Sequence, residues 1–166
     1  DVTIPVPETA DPKYWNQFPD FFRTEENIAR ARWKPRFSTP ALYQENVKNY
    51  YRLLTHVDDA VGKLVEKLEA LGLANNTIII FTGDNGMYLG EHGLAGKWYG
   101  HEESIRVPMI IFDPRKAGKI KGKVSDDIAL NVDIMPTILG FAGVTTPDSV
   151  QGRDLVKLVT SPDPDL

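Results

Sequence analysis

The sequence contains no cysteine. Disulfides and thiol chemistry are therefore excluded, while the redox compartment stays open. No run of about 18 apolar residues occurs, so no transmembrane helix is expected and a membrane partner is not indicated. Basic charge is not in excess either. With 19 Lys and Arg against 23 Asp and Glu, the net charge of −4 argues against a nucleic-acid partner, whose electrostatic footprint would be basic. Internal repeats and linker-like stretches are also missing. What remains is a 166-residue chain, 42% hydrophobic and 25% charged, long enough for one domain with a core of its own.

The rest of the chain is organised around Asn76 to Ile111. Thr77 to Thr82 is a continuous apolar, β-branched run and reads as a strand buried on both faces, as in a parallel sheet. Gly83 ends it, which places Asp84, Asn85 and Gly86 just past the carboxyl end, where open α/β sheets hold their ligands. A glycine-rich loop leads to Lys97, and Val107 to Phe112 forms a second apolar run. Two chemistries fit this pattern. Asp84 and Asn85 offer oxygens to a hard cation such as calcium, which takes six to eight such ligands at about 2.3–2.6 Å, and Lys97 suits a sulfuryl or phosphoryl oxygen. The same residues also make a polar turn beside a solvated lysine, a common sequel to a strand.

The motifs FTGDNG, LGEHG, GKWYGHEESIRVPMII, DIMPTILGFAGV and QGRDL, in that order, resemble the later part of the catalytic domain of type I sulfatases, members of the alkaline phosphatase superfamily. The resemblance covers residues 40 to 158. It implies an α/β fold, a fragment of an alkaline-phosphatase-like sandwich with a mostly parallel sheet flanked by helices. It further implies that Asp84 and Asn85 supply two calcium ligands and that Lys97 binds the sulfate. His101 stands where many members have tyrosine, which raises a role in substrate recognition or in proton transfer to a leaving group.

The family's C/S-x-P-x-R motif, whose first residue becomes formylglycine, has no counterpart here, nor has its upstream Lys-x-His segment. The chain therefore reads as a fragment without a nucleophile, inactive alone and completed by the rest of a parent polypeptide. The implied substrate is a sulfate ester, with a sulfated carbohydrate among the candidates. The resemblance is compatible with a periplasmic, extracellular or lysosomal parent. A phosphonate or phosphate monoester hydrolase of the same superfamily is the first alternative, and a non-catalytic binding module the second.

Along the chain, residues 1–38 read as an irregular arm in which Pro5, Pro7, Pro12, Pro19 and Pro35 alternate with aromatics, with one short helix from Glu25 to Trp33. Arg30, Arg32, Lys34 and Arg36 read as a solvated face or the lining of an anionic cleft. Residues 39–158 are expected to form the sulfatase-like part. Its longest helix opens with Thr39 as N-cap and Pro40 at the first helical position and stops at Gly72, about 30 residues spanning about 45 Å. An apolar stripe from Tyr50 to Leu71 faces a core; His56 and Asp58 beside it read as packed, structural contacts, and Gly62 as a close-packing point. Glu91, His92, His101, Glu102 and Glu103 match no familiar zinc spacing, and His92 reads as a brace of its loop. Asp113 to Ser125 reads as a solvated basic loop, Ile128 to Val132 as a short edge strand, and Ile134 to Ala142 as a helix capped by Asp133 and ended by Gly143. Residues 159–166 read as a frayed tail.

Overall fold

The computed structural model describes residues 2–116, 122 and 124–160. In chain order its elements are α1 (Pro12–Asn16), α2 (Ile28–Phe37), α3 (Pro40–Ala70), β1 (Ile79–Thr82), β2 (Tyr88–Leu89), β3 (Ala95–Gly96), α4 (Glu102–Ile105), β4 (Met109–Phe112), α5 (Ile134–Phe141) and α6 (Val156–Thr160), joined by short 3-10 turns. The class is α/β, as the sequence implied. The chain divides into two compact bodies, residues 1–67 with 82–108 and residues 68–81 with 109–166.

In the first body the amino-terminal arm is more regular than its prolines suggested. Asn27 caps α2 by accepting from the amides of Ala29 and Arg30 at 3.0 and 3.2 Å. The helix runs through Pro35 to Phe37, whereas the sequence reading ended it at Trp33. Pro35 lies in the last turn and costs the helix the bond that its N–H would have made to Ala31 O, while Arg36 Nη1 reaches back to Arg32 O at 3.0 Å. The arm is pinned at its start as well: the Gln44 side chain accepts from Ile4 N at 2.9 Å and donates to Ile4 O at 2.7 Å, and Tyr43 donates to Pro5 O.

Two small cores result. Phe37, Tyr43, Val47 and Ala95 form one, and Ala29, Tyr88 and Leu94 form the other, with Trp15, Phe18, Phe22 and Tyr99 packed around it. Arg30 is not solvated. Its guanidinium lies 4.5 Å from the Trp15 ring and 3.9 Å from the Trp33 ring, and Nη1 donates to Gly93 O at 3.0 Å. An arginine between two indoles covers apolar surface with its planar face while keeping its donors for a carbonyl.

Helix α3 begins as its sequence dictates, with Thr39 Oγ1 accepting from Leu42 N at 3.2 Å, and ends before Gly72, whose φ of +68° is a left-handed stop. Its apolar stripe is another matter. Only Tyr43 and Val47 are buried, while Leu53, Leu54, Val57 and Leu64 stay exposed. His56, expected to be packed, is solvent-facing and stands 3.8 Å from Asp59, because residues 51–60 are exposed on every side; Asp58 shares that exposure. A Cβ on Gly62 would meet nothing within 4 Å, so no close contact explains that glycine.

The second body pairs β1 with β4. Both strands start two residues later than the apolar runs that announced them. Ile128 to Val132 does not form a strand. Asp133 accounts for the difference: its carboxylate, 3% exposed, accepts from Leu130 N and Arg153 N, each at 2.8 Å, and Leu130 is thereby turned into a 3-10 turn. Asp133 occupies the N-cap position of α5, as expected, but its side chain makes no cap bond there and instead ties two backbone segments together. One turn further, Thr137 Oγ1 accepts from Leu155 N at 3.0 Å. Helix α5 stops at Gly143, φ +69°, as expected. The lysines at 119, 121 and 123 and the tail residues 161–166 lie outside the described residues; α6 occupies residues up to Thr160.

Asp133→Ala should lower stability by about 2 kcal/mol, since two amides lose their acceptor together. Asp133→Asn keeps one carbonyl oxygen and should recover about half of that. Urea midpoints of the three proteins measure the difference, and equal losses in the two variants would sink this account.

Candidate functional site

Just past β1, Asn85 N donates to Asp84 Oδ1 at 2.9 Å, and Asn85 Nδ2 donates to Gly86 O at 2.7 Å, which fixes the amide so that Oδ1 faces outward. Gly86 N donates to Ser104 O at 2.8 Å, and a Cβ on Gly86 would stand only 2.2 Å from Glu103 O. Only glycine permits that approach.

Strands β2 and β3 then form an antiparallel ribbon with Tyr88 opposite Gly96 and Leu89 opposite Ala95. Its turn contains three left-handed residues, Gly90, His92 and Gly93, at φ +112°, +57° and +69°. The ribbon returns the chain to where it left, so Lys97 meets residues twelve positions earlier. Lys97 Nζ donates to Asn85 Oδ1 at 2.6 Å and stands 3.9 Å from Asp84 Oδ2. Thus the three residues singled out in the sequence come together. Two hard oxygens converge on one positive charge, a donor set that fits an alkaline-earth cation, with further ligands needed to reach six. Asp84 is 89% exposed and Lys97 46%. The site is open to solvent.

Behind the ribbon lies a histidine pair that spacing did not reveal. His92 and His101 stack with ring centroids 4.3 Å apart and planes 13° from parallel. His92 Nε2 is 3.3 Å from Glu103 Oε1, so His92 does brace its loop, and His101 Nδ1 shares a 2.6 Å hydrogen bond with the hydroxyl of fully buried Tyr88. Burial pushes the Tyr88 phenol up to about 12, which keeps it protonated near neutrality. Burial also lowers the His101 pKa, and the neighbouring His92 lowers it further, against an opposing effect of Glu103. Glu91, whose Oε2 accepts from Leu89 N, is raised by its own burial. His101 is therefore a half-buried partner of Tyr88 and stacks on His92.

The lowered His101 pKa has a definite sign. The unfolded chain takes up its proton first as pH falls below about 6.5, so the stabilisation tied to neutral His101 is complete above that value and is lost as pH drops toward the folded pKa. Relative to His101→Asn, the wild type should lose stability on acidification from pH 7 to pH 5. Parallel chemical denaturation at both pH values tests this, and a difference of the opposite sign would overturn it.

Sequence reasoning missed Trp98. Its φ of +144° is a conformation that side-chain-bearing residues adopt at a cost of about 1–3 kcal/mol. Its ring is half exposed, with the Arg32 guanidinium 5.2 Å from the centroid.

A family profile described as Sulfatase matches residues 5–144. The chain is 44% identical over 113 residues to an N-acetylglucosamine-6-O-sulfatase of Bacteroides thetaiotaomicron, covering 68% of this chain and 20% of that protein. Among solved structures, one described as bound to its substrate D-glucosamine-2-N,6-O-disulfate superposes with a TM-score of 0.68 at 34% identity, over 89% of this chain and 31% of the other. A phosphonate monoester hydrolase of Agrobacterium radiobacter superposes with a TM-score of 0.70 at 28% identity, over 76% of this chain and 25% of the other. The chain thus spans about a fifth to a third of the length of these proteins.

Proposed function

Because the chain belongs to the sulfatase family, within the alkaline phosphatase superfamily, we propose that it forms the metal and sulfate side of a sulfuric ester hydrolase site. Asp84 and Asn85 hold the metal, and Lys97 binds the sulfate. The observation that carries this reading is the convergence of Asp84 Oδ2 and Asn85 Oδ1 on the Lys97 ammonium. Sulfatases are generally metal dependent, and calcium suits this all-oxygen set. Bound there, the ion would offset charge gathering on the sulfate oxygens. Lys97, a compact cation with three rotatable donors, would orient one sulfate oxygen and stabilise the charge that develops on it as the ester bond breaks. Asn85 is held by its own bond to Gly86 O, so its carbonyl oxygen already faces outward and would exchange the Lys97 ammonium for the metal. His101 remains a candidate for substrate recognition through the Tyr88 and His92 cluster.

The nucleophile has to come from outside this segment, since the chain has neither cysteine nor a C/S-x-P-x-R motif. Formylglycine is the group that the family resemblance implies, and a sulfated carbohydrate is the substrate class that the related N-acetylglucosamine-6-O-sulfatase suggests. The isolated chain should release no sulfate from 4-nitrophenyl sulfate or glucosamine 6-sulfate, whereas a full-length enzyme carrying it should do so and lose activity on chelation. Turnover by the isolated segment would overturn the division of labour. Phosphonate monoester cleavage without any sulfate-ester cleavage by the full-length enzyme would favour the reading suggested by the Agrobacterium structure.

A further inference from the structure

Lys97 has a neighbour that sulfate binding alone does not require. Trp98 follows it directly, with φ +144° and an indole 52% exposed. A large aromatic held in such a backbone, and left half in water, gains little from packing, and strained residues of this kind concentrate at ligand sites. Arg32, on α2, stands with its guanidinium 5.2 Å from the Trp98 ring centroid. The other cations of that segment are engaged: Arg30 bonds Gly93 O between two indoles, and Lys34 pairs with Glu25. Arg32 is exposed, and no carboxylate pairs with it among the described residues. Both side chains pack beside the backbone of Gly96, where a Cβ would come 3.4 Å from Trp98 Nε1 and 3.6 Å from Arg32 Nη1. Arg32, Gly96 and Trp98 thus form one small surface, and Lys97 lies between Gly96 and Trp98 in the chain.

We propose that Trp98 and Arg32 recognise the sugar that carries the scissile sulfate, Trp98 by stacking on the apolar face of the ring and Arg32 by pairing with a second anionic group on it. This inference rests on the reading of Lys97 as the sulfate ligand. The chemistry follows from the side chains: an exposed indole offers a flat apolar platform with one polar tip, and a guanidinium offers a planar fork that matches a carboxylate or sulfate bidentately. A monoanionic aryl ester would use Lys97 alone. A saccharide with two anionic groups would use both cations.

The test is binding to the 166-residue chain, followed at the Trp98 indole N–H by NMR, the signal being assigned from its loss in Trp98→Phe. The probes are glucosamine 2-N,6-O-disulfate, a sulfated uronic acid, glucosamine 6-sulfate and inorganic sulfate. The disulfate should shift the Trp98 signal, and Arg32→Gln should weaken its binding about tenfold, the order of one charge-assisted bond. The same variant should weaken glucosamine 6-sulfate much less. Arg32→Lys keeps the charge without the fork and should fall between. If the sulfated uronate shows the same Arg32 dependence, the second group is any anion; if only the disulfate does, it is a second sulfate. Trp98→Ala should weaken both sugars and leave inorganic sulfate unaffected. An unperturbed Trp98 signal, or equal losses for all probes in Arg32→Gln, would overturn the proposal. Lys97→Ala separates the two readings: if it leaves glucosamine 6-sulfate binding intact, the sulfate role of Lys97 fails, while the difference between probes in Arg32→Gln still decides the fate of the platform.

Discussion

Alanine at Lys97 is expected to lower kcat for sulfate-ester hydrolysis by about 10²–10³-fold in a full-length enzyme carrying this segment, the range seen when one preorganised electrostatic donor is removed. The fold should survive, because Lys97 is half exposed and belongs to neither core. If Lys97 acts mainly on charge that develops during the reaction, kcat and kcat/KM should fall together; a rise in KM alone would mean that it binds ester and transition state equally. Lys97→Arg should recover only part of the loss, since a planar fork does not reproduce a compact ammonium 2.6 Å from Asn85 Oδ1. The metal makes a second test. In this structure the ammonium occupies the oxygens of Asp84 and Asn85, so its removal should leave the calcium-induced rise in melting temperature unchanged or larger. A calcium response that disappears in Lys97→Ala would mean that the lysine shapes the metal site itself, and the assignment of separate roles would fail.

Gly86→Ala is expected to be the most damaging single methyl in the site. The added carbon would stand 2.2 Å from Glu103 O and 2.9 Å from Arg106 O, both backbone atoms fixed by the α4 turn, so no side-chain rotation relieves the overlap. Relief requires the 84–86 turn to move away from α4 and break the 2.8 Å bond from Gly86 N to Ser104 O. The cost should be about 1–3 kcal/mol of stability. A displacement near 1 Å at Asp84 and Asn85 should add a loss of about 10²-fold in turnover. Gly83→Ala is the control, because its Cβ would rest at an ordinary 3.5 Å from Val107. If the two variants prove equally stable and equally active, the backbone approach at Gly86 is not what positions the metal ligands.

Local chemistry in this chain was readable where one or two residues decide the outcome. Thr39, Pro40 and Gly72 fixed the limits of α3, and the Asp84, Asn85 and Lys97 set was visible because glycines and a strand end bracket it. Most of the readings that failed needed a partner remote in sequence. Helical periodicity says that one face of α3 is apolar, but not that anything covers it, and so His56 was wrongly placed in a packed environment. Prolines argued against regularity in residues 1–38, yet Asn27 and the Trp15 and Trp33 stacking on Arg30 hold a ten-residue helix there. Asp133 reads as a cap from its position alone; only the fold brings Arg153 N within 2.8 Å of it. Trp98 carried no signal, because a backbone angle is not a property of composition or spacing.

The brace between Arg30 and Gly93 spans 63 residues. On a ribosome extending the chain by about 5–20 residues per second, roughly 3–13 s separate the appearance of its two ends. During that interval α2 and the aromatics around it exist without Tyr88 and Leu94, the residues that bury them. The nascent segment is therefore most in need of a holding chaperone before its glycine-rich loop emerges, and synonymous codons that slow elongation between α3 and β3 should lower the soluble yield without altering a single contact of the finished protein.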